Sequence, residues 1–269
     1  MPSDFLNKLS VQVVSLIINS MLKKIQVATL LIIIFLAAVF GFLYVSFSQN
    51  HKFEFLKPVN ESLRPSVIKN FTLRRSFRLV QPGDARSDYY TSKQFTRLKV
   101  EVYKSPYGTL LPSSVDLIKT SADGVINKPD GIFIEERGLE NVPGKVDDSF
   151  IDKLSDDIPR FSKNTAVLRI YILSTYGPHP TLLGITANAH GFIIFKNSIA
   201  ESSKDQSLQE DLETETILHE IGHLLGAAHS SYDKCIMNKI VDVPGGVGYS
   251  YIPTQYCIED NESIKDANL

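Results

Sequence analysis

His219-Glu220-Ile221-Gly222-His223-Leu224-Leu225-Gly226-Ala227-Ala228-His229 is the stretch on which the reading of this chain turns. It holds three of the chain's six histidines, with a glutamate between the first two. On a helix, His219 and His223 stand one turn apart on one face, so both imidazoles can reach one metal ion. Glu220 stands beside the first ligand, where a general base for a metal-activated water is wanted. Gly226 lets the backbone turn sharply out of the helix, and that turn brings His229 round as a third ligand. Three protein ligands and one open position describe a catalytic zinc site, whereas structural sites are closed by four. The five fixed positions coincide by chance in roughly one chain in 10⁵ of this length, which sets aside a helix that merely happens to carry histidines.

The flanks agree with a buried helix. Leu208, Leu212, Ile217, Leu218, Ile221, Leu224 and Leu225 recur at mostly helical spacing and predict a helix from about 208 to 226. Glu210, Asp211, Glu213 and Glu215 gather near its start and read as a solvated face that also favours the helix dipole.

Beyond His229 comes Cys235-Ile236-Met237-Asn238. With it the pattern resembles the metzincin clan of zinc metallopeptidases, whose motif His-Glu-x-x-His-x-x-Gly-x-x-His precedes a methionine turn. The distance to Met237 resembles the matrixin and archaemetzincin branches. Ser230 is matrixin-like, while Cys235-Ile236-Met237 and Tyr256-Cys257 resemble archaemetzincins. The resemblance implies an α/β zincin domain with a twisted mixed sheet, an edge strand, an active-site helix and a methionine turn. It implies one catalytic Zn2+ on His219, His223 and His229, with Glu220 as general base. Met237 would be a packed apolar base beneath the metal and not a ligand. A protein or peptide substrate would add as a strand to the edge strand, Leu183 to Ala187. Residues 239 to 254, including Pro244-Gly245-Gly246, resemble the loop that shapes the pocket beyond the cleaved bond.

Some positions depart from these families. Archaemetzincins carry four cysteines for a second zinc, but only Cys235 and Cys257 stand here, with Ser230 and Asp260 at the other two positions. A second four-thiolate site is therefore excluded. Lys239 replaces the tyrosine that astacins and serralysins place after the methionine. No cysteine precedes Cys235, so a matrixin-type cysteine switch is excluded as well. Pro82-Gly83-Asp84 loosely resembles the aspartate segment of astacin pro-regions, but it is ordinary turn chemistry and reads as a plain turn.

The rest of the chain sets the context. Basic and acidic residues nearly balance, 28 against 30, and no basic stripe appears, so no nucleic-acid partner is expected. Ile25 to Phe47 carries no charge and is long enough to cross a bilayer, which takes ~20 residues. Lys23 and Lys24 abut it, which favours an inside N-terminus. The reading is a cytoplasmic segment at 1–24, a transmembrane anchor or signal sequence at 25–47, a stalk or short pro-region at 48–95, and a metallopeptidase domain at 96–269. The catalytic domain then lies outside the cytoplasm, membrane-bound or secreted. There the family's juxtaposition of Cys235 and Cys257 implies a disulfide, with two free thiols as the alternative.

Within the domain, Leu98 to Tyr103, Gly131 to Glu135, Ala166 to Thr175, Leu183 to Ala187 and His190 to Phe195 read as strands. Ser114 to Ala122 and Asp148 to Ile158 read as helices. His179 and His190 lack a companion aspartate in the 176 to 195 stretch and read as two surface histidines rather than a second metal site. The expected function is a zinc-dependent endopeptidase acting on extracytoplasmic proteins. The alternative is a membrane-tethered binding domain with a vestigial zinc site.

Overall fold

A computed structural model describes residues 3–48, 63, 66, 67, 82–232, 234–238 and 252–266. The chain divides into two compact units, Met1–Leu79 and Val80–Leu269. In the first unit, helix α1 (Ser3–Ser48) contains Met21–Tyr44, a stretch long and apolar enough to cross a membrane. Its mean hydropathy is 2.7, and side chains such as Leu31, Ile33 and Phe35 stand exposed.

The second unit is built on a five-stranded mixed sheet of order β2-β1-β3-β5-β4. The strands are β1 (Arg97–Lys104), β2 (Ile132–Gly138), β3 (Thr165–Leu173), β4 (Gly184–Asn188) and β5 (Gly191–Phe195). β1 runs parallel to β2 and β3, and β3 parallel to β5. Among the described residues β4 alone is antiparallel, pairs only with β5 and forms an edge, with Ile185 opposite Ile193. The near-continuous apolar run of β3 has a physical reason: an interior parallel strand is covered on both faces. Ala166, Leu168, Ile170 and Ile172 enter one core, while Tyr171 and Leu173 join Ile193 and Phe195 in the other.

The helices are α2 (Arg86–Tyr90), α3 (Pro112–Val125), α4 (Asp148–Ser155), α5 (Lys196–Ser202), α6 (Gln206–Leu224) and α7 (Ile258–Asp266). α6 carries the opening motif. Asp205 caps its start by accepting from Ser207 N–H at 2.9 Å. Its apolar residues face the first core, and it packs on β4, β5 and α3.

Two expectations are corrected. The acidic residues of α6 are not all solvated: Glu213 and Glu215 are buried, and none of the four lies in the first turn, because the helix begins at Gln206. Glu213 accepts from Leu111 N–H and Ser114 hydroxyl, both at 2.8 Å, and from Lys196 Nζ, so it ties α3 and α5 to α6. His190 is not a surface histidine. It is buried, with Nδ1 3.0 Å from the Tyr89 hydroxyl and its ring edge-on to Phe161; His179 is exposed. Just before residue 96, at the end of the expected stalk or short pro-region, Ala85, Tyr89 and Phe95 join the first core and Arg86 is buried. A five-residue helix is too short to leave a helical period in the sequence. Residues 239–251 of the expected pocket-shaping loop, and most of the 48–81 stretch, lie outside the described residues.

Candidate metal centre

α6 positions the first two histidines, and its exit positions the third. His219 and His223 share the face expected of i, i+4 residues. The helix ends in a hydrogen-bonded reversal: Ala227 N–H reaches Gly222 carbonyl at 2.9 Å and Gly226 N–H reaches His223 carbonyl at 3.0 Å. Gly226 sits at φ 87, the left-handed conformation that this reversal requires. The chain then doubles back, and the three Nε2 atoms meet. His219 to His223 is 3.1 Å, His223 to His229 3.1 Å and His219 to His229 3.3 Å.

Hydrogen bonds fix which nitrogens face inward. His219 Nδ1 lies 2.7 Å from Ile236 carbonyl, and His223 Nδ1 lies 3.0 Å from Ala227 carbonyl. A carbonyl only accepts, so each Nδ1 carries the proton and each Nε2 presents a lone pair. Lone pairs converging at such distances call for a cation between them. Nitrogens bound to zinc at ~2.0–2.1 Å in tetrahedral geometry stand ~3.3 Å apart, so the triangle fits that ion. Burial pushes His219 down to about 4, against the Ile236 carbonyl and with help from the neighbouring imidazoles. Burial lowers His223 as well. Burial thus favours the neutral imidazole in both, the form that binds metal.

Glu220 is buried beside this triangle. Thr186 on β4 donates to its Oε2 at 2.6 Å. Burial pushes the Glu220 carboxyl up to about 7, against the Thr186 bonds that pull it down. Beneath the helix, Met237 is fully buried; a Cβ built at Gly222 would stand 2.2 Å from its Sδ, so only glycine lets the thioether come so close. Ser230 N–H to Met237 carbonyl, 2.6 Å, ties the third histidine's neighbour to the methionine segment. Cys235 and Cys257 are bonded, with Cα atoms 5.2 Å apart. Asp260 accepts from Met237 N–H at 3.4 Å and Cys257 N–H at 3.3 Å. The disulfide and this carboxyl hold the segment whose Ile236 carbonyl orients His219.

A cleft of about 450 Å³ opens over His219, Glu220, His223 and His229, bordered by β4. Every site residue expected from the sequence therefore meets in one place. Several partners escaped the sequence reading. The Ile236 and Ala227 carbonyls carry no residue signature, and Thr186 reads as an ordinary strand residue. Pro82-Gly83-Asp84 does form a turn, with Arg86 N–H on Gly83 carbonyl at 3.1 Å. It also sits at the centre: Pro82 lines the cleft, and a Cβ at Gly83 would stand 2.9 Å from Gly226 Cα. Arg86 fastens the turn by donating to the Ile264 carbonyl of α7, and Tyr89 by donating to Val167 carbonyl at 3.0 Å.

No protein-family model and no curated protein matches the sequence. Among solved structures, the chain is similar to the archaemetzincin of Methanopyrus kandleri at 13% identity, over 64% of this chain and 96% of that one, with a TM-score of 0.44. The archaemetzincin of Archaeoglobus fulgidus is 14% identical over 62% of this chain and 99% of that one, TM-score 0.40. A zinc-dependent peptidase of Methanocorpusculum labreanum is 14% identical over the same shares, TM-score 0.39.

Proposed function

We propose that the chain is a zinc-dependent metalloendopeptidase of metzincin type. The observation that carries this reading is the triangle of three Nε2 atoms 3.1–3.3 Å apart beside a buried glutamate. His219, His223 and His229 hold one ion. When bound, zinc would supply Lewis-acid chemistry, acidifying a water and polarising a carbonyl. Glu220 accepts the attacking water's proton and passes it to the leaving amine. The Ile236 and Ala227 carbonyls keep two imidazoles in the ligating tautomer. Met237 forms the apolar floor under the helix. The outer edge of β4, unpaired among the described residues, borders the cleft and takes the substrate main chain as an added strand.

The setting belongs to the same proposal. Residues 25–47 anchor the chain, 1–24 stay in the cytoplasm, and the domain at 96–269, together with the packed 82–95 segment, works outside it. The apolar Met21–Tyr44 stretch supports this, and the Cys235–Cys257 pair suits an oxidising compartment. Substrates are then exported or surface proteins and peptides. Alkaline extraction should leave the chain in the membrane pellet; a shortened soluble chain would instead mark residues 25–47 as a cleaved signal.

The activity has a direct test. The purified chain should carry about one zinc ion and cleave an unfolded protein. A chelator should stop cleavage, and added zinc should restore it. A zinc-loaded chain that leaves a diverse peptide library intact would overturn the proposal in favour of a binding domain.

A further inference from the structure

We infer that Thr186 is a positioning residue for Glu220, its hydroxyl aiming the carboxylate from the strand that receives the substrate. The inference rests on the reading of Glu220 as the general base.

Two independent observations on β4 converge on that carboxylate. Thr186 Oγ1 donates to Glu220 Oε2 at 2.6 Å and lies 3.3 Å from the backbone carbonyl of the same residue. Two residues earlier, Gly184 leaves the space the side chain occupies. A Cβ there would stand 3.1 Å from Glu220 Oε1, 3.2 Å from its Cγ and 2.5 Å from Thr216 Cγ2. Residues 184 and 186 face the same way on a strand, here towards α6, while Ile185 turns to the other core. The seat is therefore a missing side chain at one position and a hydroxyl at the next on that face.

Glutamate has three side-chain torsions, and a base that wanders by an ångström loses its alignment with the proton it must take. Tying one oxygen to a rigid strand removes most of that freedom. The same strand has its outer edge unpaired among the described residues, and it borders the cleft. A peptide added to β4 and the base that serves it thus share one support, so the position of the scissile bond and that of the carboxylate are set together.

The test uses the zinc-loaded full chain with Thr186→Val, which keeps the branched shape, and Thr186→Ser, which keeps the hydroxyl. Thr186→Val should lower kcat about 10–100-fold, as loss of a supporting hydrogen-bond partner usually does. KM, zinc content and melting temperature should stay near those of the parent. Thr186→Ser should recover most of the lost kcat. In a Glu220→Ala background, Thr186→Val should cost nothing further, because the hydroxyl acts through that carboxylate. Undiminished kcat in Thr186→Val, or an equal loss in Thr186→Ser, would overturn the inference. So would a Thr186→Val loss that appears as lower zinc content, or one that persists in the Glu220→Ala background. If Glu220→Ala is inactive while Thr186→Val is fully active, only the role of Thr186 fails. If Glu220→Ala is itself fully active, the assignment of the base fails.

Discussion

At the scale of single residues, the centre depends on burying groups that water would otherwise satisfy. His190 shows the consequence away from the three-histidine cluster. Burial, aided by the Arg169 charge, pushes its imidazole down to about 4. The folded chain thus refuses a proton that the unfolded chain accepts near pH 6.5. The stability tied to His190 is fully present above about pH 6.5 and is lost as the pH falls towards 4, by up to about 3 kcal/mol. Glu215 works in the opposite sense, since burial pushes its carboxyl up to about 7. The two must therefore be separated by comparison. Denaturant unfolding of the parent and His190→Gln at pH 7 and pH 4 should show the parent losing ground to the variant by that amount. Parallel pH profiles would contradict it. The sequence could not reveal this burial, because the partners that enclose His190, Tyr89 and Phe161, lie far away along the chain.

At the scale of elements, the end of α6 does the assembling. Two glycines carry it for different reasons. Gly226 supplies a positive φ, so Gly226→Ala should cost about 1 kcal/mol in stability and weaken zinc binding by displacing His229, read by unfolding and metal competition. Gly222 supplies space, so Gly222→Ala should drive Met237 from beneath the helix and cost about 1–3 kcal/mol, with unfolding as the readout. A Gly222→Ala chain as stable as the parent would show that Met237 is not held there. The histidines, Glu220 and Gly226 were legible because their chemistry lies in side chains or a glycine at fixed spacing within one stretch. The strands were legible where apolar runs were long, as in β3. What stayed hidden is backbone or distant: the Ile236 carbonyl, the Thr186 hydroxyl, and the short helix α2 that fastens Pro82 beside the cleft.

At the scale of the whole molecule, a mixed sheet places an edge strand and a histidine-bearing helix side by side, and a disulfide secures the segment behind them. Cys235 and Cys257 are separated by 22 residues. Closing a loop of that size stabilises by about 3 kcal/mol in the chain-entropy view. Reduction should therefore lower the melting temperature and, by loosening Ile236, weaken zinc binding; a reduced chain with unchanged melting and metal affinity would separate the disulfide from the centre. The central claim is that one ion on three histidines and one buried carboxylate together cut peptide bonds. It is tested most directly by measuring zinc content and cleavage of an unfolded protein side by side for the parent and Glu220→Ala. The expected result is full zinc in both and cleavage by the parent alone, with the variant slower by about 10²–10⁴-fold. Equal cleavage by a zinc-loaded Glu220→Ala chain would contradict it.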